Sequence, residues 1–321
     1  MRSKAPRSKI VLVALAANLA IASTKFAAAA ITGSSAMLSE GVHSLVDTIN
    51  ELLLLYGIKR AAKRPDKAHP FGYGRELYFW SFVVALLVLA LGAGVSFYEG
   101  ILQLLNPHPI ERPLVNYGVL AASFVFEGIS WWFTLKAFRR TKGNQGYFEA
   151  FRASKDPTTF TVLFEDTAAL IGLVVAFLGV AGAQAFSLPQ FDGIASLGIG
   201  VVLAISSILL ARETKQLLIG EPAHPHVRAS ILQIAAADDA IRNANGLITV
   251  QLGPQQIVAA LSAEFEDTLS TGEIERCVNR IEDAIKVKHP DVAVLFVKPQ
   301  TRETWLRRNE SVGRRTNDKS A

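Results

Sequence analysis

Four polar residues share one stripe of an otherwise apolar stretch: Glu40, His43, Asp47 and Glu51, spaced i, i+3, i+7 and i+11. Leu38, Leu45, Val46, Ile49, Leu52 and Leu53 surround them. Ionisable side chains are costly in hydrocarbon, so the stripe is expected to face protein or a water-filled space rather than lipid. His43 and Asp47, one helical turn apart, can bring an imidazole nitrogen and a carboxylate oxygen to one point. That donor pair suits a divalent transition-metal ion, zinc above all. A second acidic pair, Glu165-Asp166, lies in a different apolar stretch. Neighbouring residues on a helix point about 100° apart, so Asp166 is the expected third ligand, and Glu165 either assists it or meets an adjacent helix. Asn18, Lys25, Glu99, Asn116 and Glu127 are expected to serve packing or gating, Lys25 by pairing with an acid.

Those residues must be held by elements that cross a membrane. The chain has 321 residues, of which 50% are hydrophobic and 19% charged, and the apolar share is concentrated before about residue 211. A span needs about 20 mostly apolar residues, and six fit, at roughly 9–31, 36–57, 77–101, 114–137, 159–182 and 192–211. An N-terminal run preceded by Arg2, Lys4, Arg7 and Lys9 and ending in Ala27–Ala30 could serve as a cleaved signal, but Asn18 and Lys25 within it favour a retained first span. Basic residues crowd the links after spans 2 and 4 (Lys59, Arg60, Lys63, Arg64, Lys67 and Arg75; Arg139, Arg140, Lys142, Arg152 and Lys155) and follow span 6 (Arg212, Lys215). This asymmetry places both termini in the cytoplasm and accounts for the net charge of +5 without nucleic acid as a partner. It suits a bacterial inner membrane. One cysteine, Cys277, excludes an internal disulfide and a Cys-rich zinc site.

The domain plan is then a cytoplasmic segment 1–8, a transmembrane domain 9–211, a cytoplasmic domain 212–300 and a basic tail 301–321 expected to lack structure. Within the soluble part, 224–237 reads as a helix. Leu247–Leu252 and Ile257–Phe265 read as strands around a Gly253-Pro254 turn, and Val292–Val297 as a last strand. Ser270 and Glu273 form a capping box ahead of the stripe Ile274, Cys277, Val278, Ile281 and Ile285. The fold class is therefore membrane α-helical, with six spans followed by a small α+β domain of order α-β-β-α-β.

Gly33-Ser34-Ser35-Ala36-Met37-Leu38, His43-Ser44-Leu45-Val46-Asp47, His69-Pro70-Phe71-Gly72-Tyr73-Gly74-Arg75-Glu76, Asp156-Pro157 and Leu163-Phe164-Glu165-Asp166-Thr167-Ala168-Ala169 occur in that order. In this respect the chain resembles the cation diffusion facilitators, and within them the zinc transporter 9-like branch. The resemblance implies a metal–proton antiporter that exports zinc, or iron, cobalt, cadmium or manganese, with no resident cofactor, and a metallochaperone-like domain that forms a homodimer. It implies an intramembrane site of two ligands on span 2, matched by His43 and Asp47, and two on span 5. Asp166 matches the second of these, but Val162 stands where the first is expected, so Glu165, a backbone carbonyl or water is left as the fourth donor. Asp66 and His69 match a loop site of some relatives, although Tyr73 replaces a histidine there, and Gly72 and Gly74 with nearby basic residues suit a turn against lipid headgroups. His224, His226 and His289 lie outside the predicted strands and are expected at the surface. Two other readings remain: a membrane scaffold or sensor that moves nothing, and an intramembrane metallo-enzyme, for which no His-Glu-x-x-His motif occurs.

Overall fold

The computed structural model describes residues 5–142, 146–147, 150–151 and 154–308, without the side chains of 5–14, 16, 17, 141 and 159. Residues 1–4 of the expected cytoplasmic segment 1–8 lie outside the described residues, as does Arg152, while residues 5–8 open the first long helix. The chain forms two compact units, one from the chain up to Lys63 with Glu76–Lys215, the other from Arg64–Arg75 with the chain from Gln216 onward.

Six long helices, counted among the described residues, build the first unit: α1 (Ala5–Thr32), α2 (Ser35–Ala61), α3 (Arg75–Leu105, with a π-helical turn at Val88–Ala93), α4 (Pro113–Lys142), α5 (Pro157–Phe186) and α6 (Gln190–Ile219). The last four are each long and apolar enough to cross a membrane. All six extend past the sequence-drawn spans. Asp156 caps α5 by accepting from Thr158 N, with Pro157 in the first turn. Gly33, at φ 69°, turns the chain between α1 and α2, and the Ser34 hydroxyl accepts from Met37 N at 3.2 Å. Small residues bring helices close, as lipid-embedded packing requires: a Cβ on Gly100 would lie 2.9 Å from the Gly193 carbonyl. Ala36, Met37, Val46, Leu173, Ile199 and Leu203 fill the bundle centre.

The second unit has the expected order: α7 (Pro225–Ala236), β1 (Ile241–Gly253), β2 (Gln256–Phe265), α8 (Thr271–Lys288) and β3 (Val292–Pro299). β1 pairs antiparallel and β3 parallel with the central β2. Ile257, Ala259, Leu261, Ala263 and Phe265 alternate into a core completed by Ile231 and Ala235 of α7 and Cys277, Ile281 and Ile285 of α8. β1 starts six residues before the strand read from sequence, Ile241 against Leu247, and register shifts carry it through the polar run Arg242–Asn245, which blurs its alternation. The basic tail differs from expectation at its start. Residues 302–308 are helical, because the Trp305 indole lies over Gly246, where a Cβ would collide with it, and Arg302 N donates to Glu264 Oε2. The remainder, 309–321, lies outside the described residues.

The capping box at Ser270 and Glu273 is present in full. Ser270→Ala is expected to destabilise α8 by about 1 kcal/mol, read as faster hydrogen exchange in its first turn.

Candidate metal site in the helical bundle

His43 and Asp47 meet on α2 as their spacing predicts, with Nδ1 and Oδ1 3.3 Å apart. The imidazole is 1% exposed, and neither of its nitrogens has a hydrogen-bond partner, nor has Asp47 Oδ1. Buried polar atoms are almost always satisfied, so three orphans on adjacent turns are an exception that needs a reason.

Asp47 opens onto a cavity of about 340 Å³ that is also lined by Glu51, Glu127, Val162, Glu165 and Asp166. Both acids of α5 therefore reach the same space despite being adjacent, because they diverge within it. Glu165 accepts from Asn50 Nδ2 of α2 at 2.8 Å. Asp166 Oδ2 accepts from Ser130 Oγ of α4 at 3.1 Å, with Thr134 Oγ1 at 3.5 Å. The His43 ring does not line the cavity. Among the described residues, no three His, Cys, Asp or Glu side chains converge on one point. The arrangement is thus a two-donor half-site on α2 facing an acid pair on α5, with one of those acids held towards α4.

Ser130 and Thr134 were not singled out from the sequence, yet two hydroxyls one turn apart in an apolar helix are the pattern that finds them. Asn50 lies beside the stripe rather than on it, and only the fold shows that it reaches α5. Of the polar residues assigned to packing, Asn18 donates to Glu51 Oε2 at 3.1 Å, Asn116 accepts from Thr32 Oγ1 at 2.9 Å, and Lys25 pairs with Glu40.

A larger cluster had no sequence signal. Asp192, at the start of α6 and fully buried, accepts from Ser34 Oγ (2.7 Å), Ser35 Oγ (3.0 Å), Ser35 N (2.6 Å) and Ala36 N (3.4 Å). One carboxylate from α6 thereby holds the N-terminal turn of α2, the end at which helix amides lack intrahelical partners. Farther along, Ser39 donates to Ser196, which donates to the Ser96 carbonyl, tying α2 to α6 and α3.

In the second unit, Asp66 accepts from Tyr73 OH and from the amides of Ala68 and His69. These bonds, the tyrosine's first, hold its carboxyl below the usual range and commit it to the turn in which Gly72 stands at φ 83°. His224 and His226 stack on each other, and His289 Nε2 is 2.8 Å from Ser230 Oγ. Cys277 is buried, with Sγ donating to Asp238; burial pushes its thiol up to about 11.

A family model described as the cation efflux transmembrane domain matches residues 11–219. The mitochondrial proton-coupled zinc antiporter of Xenopus laevis is 33% identical over 265 residues, 82% of this chain and 47% of the relative. The human protein of the same name is 32% identical over 294 residues, 90% of this chain and 52% of the relative. The chain thus spans about half the length of these curated relatives. A cation-efflux pump of Cronobacter sakazakii is 28% identical over 265 residues, 83% of each chain. With the stripe on α2, the acids on α5 and a match across all six long helices, this multi-pass membrane chain belongs to the cation efflux family.

Proposed function

We propose that this protein is a secondary transporter that carries a divalent transition-metal cation, zinc first, out of the cytoplasm in exchange for protons. The observation that carries the reading is the orphaned imidazole and carboxylate oxygen one turn apart on α2, beside a cavity that also holds the α5 acids. Neutral imidazole and ionised carboxylate are the forms that bind metal, so loading and protonation exclude each other on the same atoms. The names of the relatives, a proton-coupled zinc antiporter and a cation-efflux pump, point the same way. His43 and Asp47 are the proposed pair on α2, and Asp166, with Glu165 as the alternative or additional donor, completes the site from α5 when α4 releases it. Rocking of helices about a fixed ion position would alternate its access.

The basic loops favour both termini in the cytoplasm, and a bacterial inner membrane is the proposed location; the alternative is a mitochondrial membrane, as in the relatives so named. A second copy of this chain is the proposed partner of the sheet. Ile248, Ala260 and Phe296 stand in register across β1, β2 and β3, and the two large side chains are 58% and 52% exposed. The test is zinc flux in sealed proteoliposomes with a zinc dye on one side and a pH dye on the other. Zinc movement that ignores an imposed pH gradient would remove the exchange; no movement would favour a scaffold or sensor.

Val162 lines the cavity one turn before Asp166. Val162→His is expected to add an imidazole donor to it and lower the zinc concentration for half-maximal flux roughly tenfold, equivalent to about 1.4 kcal/mol. Competition between zinc and cadmium in the same vesicles would show the change in preference.

A further inference from the structure

Lys25 on α1 is 0% exposed, a fully buried ammonium in a helix that the family match places in the membrane. Its Nζ donates to Glu40 Oε2 at 3.0 Å, also 0% exposed, and to Ser44 Oγ at 2.7 Å. The transport cycle described above uses neither member of this pair. Buried ion pairs are weak devices for stability, since apolar replacements of both partners are often tolerated as well or better.

The placement of the ammonium is informative. Ser44 is one turn beyond Glu40 on α2 and three residues, about 4.5 Å of helix rise, before Asp47. Ser44 also lines the cavity that Asp47 enters. By bonding Ser44 as well as Glu40, the ammonium stands on the Asp47 side of the Glu40 carboxylate. The pair is neutral as a whole, but its positive end is turned towards the candidate ligands. Glu40 cannot easily shift to reverse this, because its other oxygen is packed against Gly172 of α5, where even a Cβ would collide with it.

We propose that Lys25 is a tethered cation whose charge, presented through Ser44, weakens the binding of a mobile cation at His43 and Asp47 and so speeds its release. A carrier must let its cargo go, and binding that is too tight traps it. Lys25 is a positioning residue in this scheme and touches no transported ion. A fixed positive charge about one turn from a divalent ion, partly offset by the more distant Glu40 and screened as in protein interiors, is expected to change affinity by about tenfold.

The inference rests on the proposed metal transport, and one series of proteoliposomes separates the two. A lone Lys25→Met leaves Glu40 buried without its partner, so Lys25→Met/Glu40→Gln is the principal variant and Lys25→Arg the charge-retaining control. With zinc as the probe, the double variant is expected to show a KM about tenfold lower than the unmodified protein and a lower kcat. The arginine variant should keep both constants near their original values. A double variant whose KM is unchanged or raised, while the unmodified protein transports zinc, overturns the tethered-cation role and leaves transport standing. An unmodified protein that moves no zinc overturns the proposed function and this inference with it.

Discussion

His43→Ala and Asp47→Ala proteins are each expected to insert, to melt at or above the temperature of the unmodified protein, and to lose zinc flux by on the order of a hundredfold, equivalent to about 3 kcal/mol. The combination follows from the hydrogen-bond pattern. Neither imidazole nitrogen nor the facing carboxylate oxygen has a hydrogen-bond partner, and their contact with each other lies within α2, so their removal breaks no bond between helices. An unsatisfied buried polar group carries a desolvation penalty of about 1–3 kcal/mol, and deleting it relieves that penalty while opening a modest void. Residues kept for packing behave in the opposite way, losing stability and activity together. Flux in proteoliposomes and thermal melts in detergent, measured on the same preparations, separate the two cases. Parallel loss of both, or flux that survives in either variant, would remove these residues from the proposed site.

What the sequence carried and what it hid divide along physical lines. Helix positions were legible because apolar length and the i, i+4 spacing of His43 and Asp47 are local properties of one element. The soluble domain was legible because every second residue of β2 from Ile257 to Phe265 is apolar and enters the core, and Ser270 with Glu273 forms a contiguous cap. β1 was truncated in the reading because its polar first half, Arg242–Asn245, is irregular in register and satisfied by partners far along the chain: Asn243 bonds Glu264, and Asn245 bonds the Gln300 carbonyl. The helix at 302–308 was missed for the same reason, since a single tryptophan over Gly246 ties a basic segment to the sheet. For the candidate site, spacing could pick out α2 and name the acids of α5, but not the direction in which those acids point. That is set by Asn50 and Ser130 on two other helices, at sequence separations of 115 and 36 residues. The sequence also ranked Lys25 only as a partner for some acid, because choosing Glu40 requires knowing how α1 lies against α2.

Asp192 supplies the converse prediction. It is as deeply buried as His43, but every contact it makes is a completed bond: two hydroxyls and two backbone amides from residues 34–36 converge on one carboxylate. Asp192→Ala would leave the Ser35 and Ala36 amides at the start of α2 without acceptors inside the bundle. At about 1–3 kcal/mol for each stranded donor, the loss is expected to reach about 3 kcal/mol or more, seen as a markedly lower melting temperature. Asp192→Asn retains one carbonyl oxygen of the same shape and should lose roughly half as much. Transport should fall with both substitutions because α2 carries His43 and Asp47, but the fall should follow the amount of folded protein, and KM measured on the surviving fraction should stay close to that of the unmodified chain. An Asp192→Ala protein that melts normally yet shows an altered KM would place this carboxylate on the ion's route instead of at the root of the helix that lines it.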